Sequence, residues 1–203
     1  MIRAVLRLTV VGACALALSG CISLLPKSKP AQLYRFGQPA AAATAPAAGT
    51  VGVFQANGTF PGEAGGDRIL TINGGKAAYI AQSRWVAPAG VLWNEAVTHA
   101  FDADPGKVRL VSRGQQAKSD YALRLDVRNF EARYDAGPDS APTVVVRVRA
   151  VLNKADLSKT HEQIFAASAK ASDNRVGAIV SAYDKATADV LGQIVTWTND
   201  NAG

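Results

Sequence analysis

The chain has 203 residues, 48% of them hydrophobic and 19% charged, with a formal charge of +6. That is an ordinary globular composition, long enough for one domain with a sizeable core and not clearly for two. The basic excess is mild. It suits anionic headgroups or an acidic partner and gives no support to a nucleic-acid role.

Arg3 and Arg7 precede the apolar run from Leu8 to Leu18, and Leu18-Ser19-Gly20-Cys21 follows. This is a charged region, a short hydrophobic region and a small-residue cleavage site. The run is too short for a membrane helix, which needs about 20 residues. A cysteine directly after Leu-Ser-Gly is the mark of a bacterial lipoprotein signal. Small residues let the peptidase take the chain in extended form, and the thiol accepts the diacylglyceryl group. Cleavage between Gly20 and Cys21 is therefore expected, with residues 1–20 a signal and Cys21 the lipid attachment. Cys14 and Cys21 are the two cysteines. One leaves with the signal and one carries lipid, so the remaining domain has no disulfide. Ile22, rather than Asp, follows the cysteine, which points to the outer membrane and a periplasm-facing domain.

Residues 21–30 read as a lipidated tether, in which Lys27 and Lys29 sit where headgroups would be but serve more simply for solubility, and residues 31–203 as the domain. Leu33 to Phe36 is a short strand candidate. The Ala/Pro-rich segment 38–50 reads as a mobile loop. Thr50 to Gln55 is a strand and residues 57–67 a Gly-rich loop. Arg68 to Ile72, Asn73-Gly74 and Ala77 to Ala81 form a hairpin, because Asn-Gly suits a tight turn. Pro88 suits a first helical turn. From Ala89, residues Trp93, Ala96, Val97, Ala100 and Phe101 share one helical face, and Asp104-Pro105-Gly106 ends it. Val108 to Val111 is a short strand.

The strongest strand pattern is Tyr121 to Val127, with Tyr121, Leu123, Leu125 and Val127 on one face. Ala122, Arg124, Asp126 and Arg128 take the other. Val144, Val146, Val148 and Ala150 alternate with Val145, Arg147 and Arg149. These runs should pair as a long antiparallel hairpin, apolar on one face and charged on the other. Arg124, Arg128, Arg147 and Arg149 then form either a surface for a partner or headgroups, or a solvated face. His161 to Ala167 is a last strand. Ser172-Asp173 is a cap candidate for a helix whose stripe runs from Val176 to Trp197. The expected fold is α/β: a single domain with about seven strands in a mixed, mostly antiparallel sheet, and two main helices, the C-terminal one long.

Catalytic signatures are sparse. His99 and His161 lack metal-ligand spacing, and Asp102 and Asp104 read as a helix tail and a turn. No Gly-x-Ser-x-Gly elbow, Ser-x-x-Lys dyad or phosphate loop occurs. No enzyme activity, cofactor or metal is expected.

The chain resembles the auxiliary lipoproteins of ABC-type intermembrane lipid transport systems, including the lipoprotein of the paraquat-inducible system. Four features carry the likeness: the lipobox with Leu33-Tyr34-Arg35-Phe36, Tyr79 to Arg84-Trp85 with a helix after it, Tyr121-Ala-Leu123-Arg-Leu125 running to Phe130-Glu131, and the helix reaching Trp197. The resemblance implies an outer-membrane accessory that docks with a mammalian-cell-entry-type substrate-binding protein beside an ABC permease and ATPase. It also implies phospholipids or other hydrophobic molecules as cargo, and ring assembly in some members, hence a homo-oligomer here. The alternatives are a structural or assembly lipoprotein of the outer envelope, and a periplasmic hydrolase with an unrecognised site.

Overall fold

The structure is a computed structural model that describes residues 30–38, 49–112, 114–115 and 117–203. The lipobox, most of the tether and most of the Ala/Pro-rich segment lie outside the described residues. Residues Ala31–Gly203 form one compact unit. The strands are β1 (Gln32–Tyr34), β2 (Val51–Gln55), β3 (Arg68–Asn73), β4 (Lys76–Trp85), β5 (Val108–Val111), β6 (Tyr121–Arg133), β7 (Thr143–Lys154) and β8 (Thr160–Lys170). The helices are α1 (Ala89–Asp102) and α2 (Val176–Asn201).

All eight strands join one mixed sheet. The expected hairpin forms as β6 against β7, and β8 continues it antiparallel. The expectation of a mostly antiparallel sheet needs correction. β1 with β4, β2 with β5, and both β2 and β3 with β6 are parallel pairings. The long pairings are antiparallel; the short ones that attach the N-terminal half are parallel. One edge of β6 belongs to β7 throughout. The other is shared, with β2 beside Tyr121 to Leu123 and β3 beside Ala132 and Arg133.

Between those two partners, residues 56–59 follow the same edge. Ala56 donates its N–H to Leu123 O at 2.9 Å, and Val127 donates to Thr59 O at 2.9 Å. Gly58 makes this approach possible, since a Cβ there would lie 1.7 Å from Leu125 O. The β6 register shifts between Val127 and Asn129. Such a bulge resets the alternation, so Phe130 and Ala132 return to the core face after it.

Odd-numbered residues of β6 up to Val127 and even-numbered residues of β7 are buried together. α2 covers β7 and β8 with Ile179, Tyr183, Val190, Leu191 and Ile194. α1 packs on α2 and β5. An aromatic cluster sits at the centre: Phe36, Trp85 and Tyr183 surround Phe130 at ring distances of 4.9, 6.4 and 4.8 Å. Burying each such ring contributes about 1.5–3 kcal/mol. Trp197 instead meets Phe165 of β8 at 5.6 Å, near the far end of α2.

Helix starts differ in detail from expectation. Pro88 is the residue before α1 rather than inside its first turn. The first free N–H groups of α1 donate to loop carbonyls instead of a capping side chain, Ala89 to Gly66 O at 2.9 Å and Gly90 to Gly65 O at 3.2 Å. Ser172-Asp173 does not cap α2. Arg175 holds the cap position, and Asp173 accepts from Asn174 N and pairs with Arg175.

Candidate functional site

Asp126 is the focus of the polar sheet face. Its alternation places it outward, yet its side chain is only 2% exposed. The 56–60 segment covers it. Thr59 donates both its N–H and its hydroxyl to Asp126 Oδ1 at 3.0 Å. Arg124 Nε donates to the same oxygen at 3.0 Å, and Arg149 reaches Oδ2 at 3.4 Å. Burial alone would raise the carboxyl's pKa. The hydrogen bonds from Arg124 and Thr59 outweigh it and hold the pKa below its ordinary value. Arg149 also grips Glu162 of β8 with two hydrogen bonds of 2.6 Å. Those bonds lower the Glu162 pKa and raise that of Arg149.

The four arginines singled out from the sequence therefore divide. Arg124 and Arg149 are tied into a network that fastens β6, β7, β8 and the 56–60 segment together. Arg128, at the bulge, and Arg147, opposite Asn129, make no ion pair within 4.0 Å among the described residues. Both are exposed. They keep their charge for solvent or a partner. Thr59 and Glu162 were not visible as members of this site. Thr59 lies 67 residues from Asp126 in sequence, and no local pattern links them.

A groove of about 600 Å³ opens between the 55–60 segment and α1. Phe60, Trp93, Leu125 and Val91 supply apolar surface; Gln55, Asn57, Asn94 and Thr98 add polar groups. Glu95 is its one ionisable side chain, and it is paired with Arg35. Together these groups make a mixed apolar and polar lining. It can hold an apolar segment with amide groups at its border.

The remaining sequence candidates are scattered. His99 Nδ1 lies 3.3 Å from Gly37 O, a bond that joins α1 to the segment after β1. His161 Nε2 is buried without a hydrogen-bond partner among the described residues. Asp104 accepts from Gly106 N and from Asn199 Nδ2 of α2, so it shapes a turn. Among the described residues there is no group of three or more His, Cys, Asp or Glu able to hold a metal ion. No helix among them is long and apolar enough to cross a membrane. Gly20 and Cys21 lie outside the described residues.

The fold is thus an α/β domain whose mixed sheet carries a long C-terminal helix, with a polar network on the face away from it. Solved structures share this architecture. Protein XCC0632 from Xanthomonas campestris aligns with a TM-score of 0.65 at 21% identity, over 84% of this chain and 93% of its own. A crystal structure of an uncharacterized protein aligns with a TM-score of 0.65 at 14% identity, over 83% and 99%. No curated protein is similar enough to match. The chain belongs to the family of ABC-type transport auxiliary lipoprotein components, whose pattern matches residues 34–195. Phe36, Trp85 and Phe130, three residues on which the sequence resemblance rested, meet in the central aromatic cluster.

Proposed function

We propose that this chain is a non-catalytic, lipid-anchored accessory of an ABC-type intermembrane transport system that moves phospholipids or other hydrophobic cargo. The family match over residues 34–195 is the observation that carries this reading. The lipobox supplies the anchor. Residues 1–20 act as the signal, Cys21 carries the acyl chains after cleavage behind Gly20, and residues 21–30 tether the domain. Ile22 directs the protein to the outer membrane. The domain then faces the periplasm and docks with a mammalian-cell-entry-type protein. Arg128 and Arg147 offer charge to an acidic surface of that partner. The polar-edged groove beside α1 supports binding rather than chemistry.

The test is co-purification from membranes after mild cross-linking, paired with a lipid-asymmetry assay in a deletion strain. Recovery of an ABC permease or a mammalian-cell-entry-type protein is expected, with disturbed asymmetry. Recovery of neither, together with intact asymmetry, would overturn the proposal.

A further inference from the structure

The sheet ends in edges of very different kinds. β1 and β5 are edge strands of three and four residues. The rest of the β4 edge is bent by Gln82, whose φ is +54°. Short and bent edges resist pairing with other chains. β8 is different. It runs 11 residues and pairs only with β7 among the described strands. From Gln163 to Ala169 it holds no charge, proline or glycine. Ile164 on this edge is 52% exposed.

The hydrogen-bond pattern says which groups are available. Lys154 donates to Lys159 O, and Ala171 donates to Pro142 O. Both fall in the β7–β8 register, so odd-numbered residues of β8 exchange main-chain bonds with β7. Glu162, Ile164, Ala166, Ser168 and Lys170 consequently turn N–H and C=O away from the sheet.

We infer that β8 pairs antiparallel with β8 of a second copy of this chain, about a two-fold axis at Ala166. This register joins outward-facing residues only to outward-facing residues, as antiparallel pairing requires. It sets Glu162 opposite Lys170 at both ends, so the edge is complementary to itself in charge. It sets Ile164 beside Ser168 and covers part of its exposed surface. α2 lies over β7 and β8 on the opposite face from Glu162, so the two α2 helices share one side of the joined sheet. The inference rests on the β8 edge and not on the transport role; either can fail without the other.

The experiment uses full-length lipoprotein in its native membranes. Paired residues across such a junction have Cα atoms about 5.5 Å apart. Ala166→Cys should therefore be joined to itself by a short bismaleimide, giving a band at twice the monomer mass. Ala155→Cys, at the β7–β8 turn, should not. Lys170→Glu should reduce the Ala166→Cys link severalfold, and Lys170→Arg, which keeps the charge, should not. Ala166→Pro removes only an outward N–H. In detergent it should sediment as a monomer that still melts in one cooperative transition, where the parent protein sediments as a dimer. The inference is overturned if the link at position 166 is no stronger than at 155, or joins a different protein. A folded Ala166→Pro protein that stays dimeric overturns it equally. Should that variant not fold, the linking and charge-reversal results decide alone.

Discussion

Tyr183 of α2 donates its hydroxyl to the main-chain carbonyl of Leu70 in β3 at 2.9 Å, with no solvent at the ring. This bond fastens the C-terminal helix to the N-terminal half of the sheet. Tyr183→Phe keeps the ring packing and leaves a buried carbonyl short of a donor. It should cost about 1–2 kcal/mol in denaturant unfolding. Burial also pushes the phenol's pKa well above its ordinary value, with Glu131 adding to the effect. The unfolded chain loses this proton near pH 10 and the folded chain keeps it, so stability falls as pH rises above about 10. Tyr183→Phe should show a shallower alkaline decline than the parent protein.

Asp126 makes the opposite prediction for acid. Its folded pKa is depressed, so its contribution is present above the ordinary carboxylate value and is lost as pH falls through the folded one. Asp126→Asn should lower stability at pH 7 by about 2 kcal/mol, since two donors from Thr59 and one from Arg124 lose an ionised acceptor. Unfolding followed from pH 7 to pH 2 should show a flatter slope for the variant. An unchanged slope would mean that Asp126 titrates alike in both states.

Gly58 is required by its neighbour rather than by its φ. Gly58→Ala drives a methyl into Leu125 O. The segment must lift from the β6 edge, and Thr59 with it. A loss of about 3 kcal/mol or more is expected, the upper end of overpacking effects. Hydrogen exchange at Val127, whose N–H is held by Thr59 O, should accelerate.

The arginines should separate in mutagenesis. Arg149→Ala removes the link between Asp126 and Glu162 and should destabilise the fold. Arg128→Glu with Arg147→Glu should leave thermal stability within about 0.5 kcal/mol, as for ordinary surface changes. The same double variant should weaken capture of the transport partner in the cross-linking assay. Equal destabilisation by both would assign the whole face to structure.

Cys21→Ser should abolish acylation. The protein should then leave the membrane fraction for the soluble periplasm, or accumulate uncleaved. Full membrane retention on fractionation would contradict the anchor.

The sequence made the antiparallel half of the sheet legible. Period-two alternation in Tyr121–Val127 and Val144–Ala150 is strong, and the Asn73-Gly74 pair marked its hairpin correctly. The parallel half was not legible, because β2 and β3 reach β6 through long connections that leave no local signature. Asp126 shows the same limit at one residue. Alternation placed it outward, and it is outward; only the distant 56–60 segment buries it. The extra length of β6 beyond Val127 was hidden by the bulge, which breaks the alternation while the strand continues. Alternation alone places Arg149 on a surface; its partner Glu162 on β8 ties that charge into the fold.

The shared edge of β6 has a consequence for how the chain acquires this structure. Synthesis releases β2 and β3 well before the strand that both of them need; Thr59 waits for an acceptor 67 residues downstream. β6, β7 and β8 pair through neighbouring segments and close small loops, which is fast. The N-terminal strands close large ones, which is slow. Folding should therefore run backwards along the chain, with the C-terminal meander and α2 forming a platform onto which the earlier strands are laid. Until then β2 and the β3–β4 hairpin both lack their β6 neighbour, which leaves both exposed to aggregation or proteolysis, so truncation just after Asn201 should be far less harmful than truncation before β8.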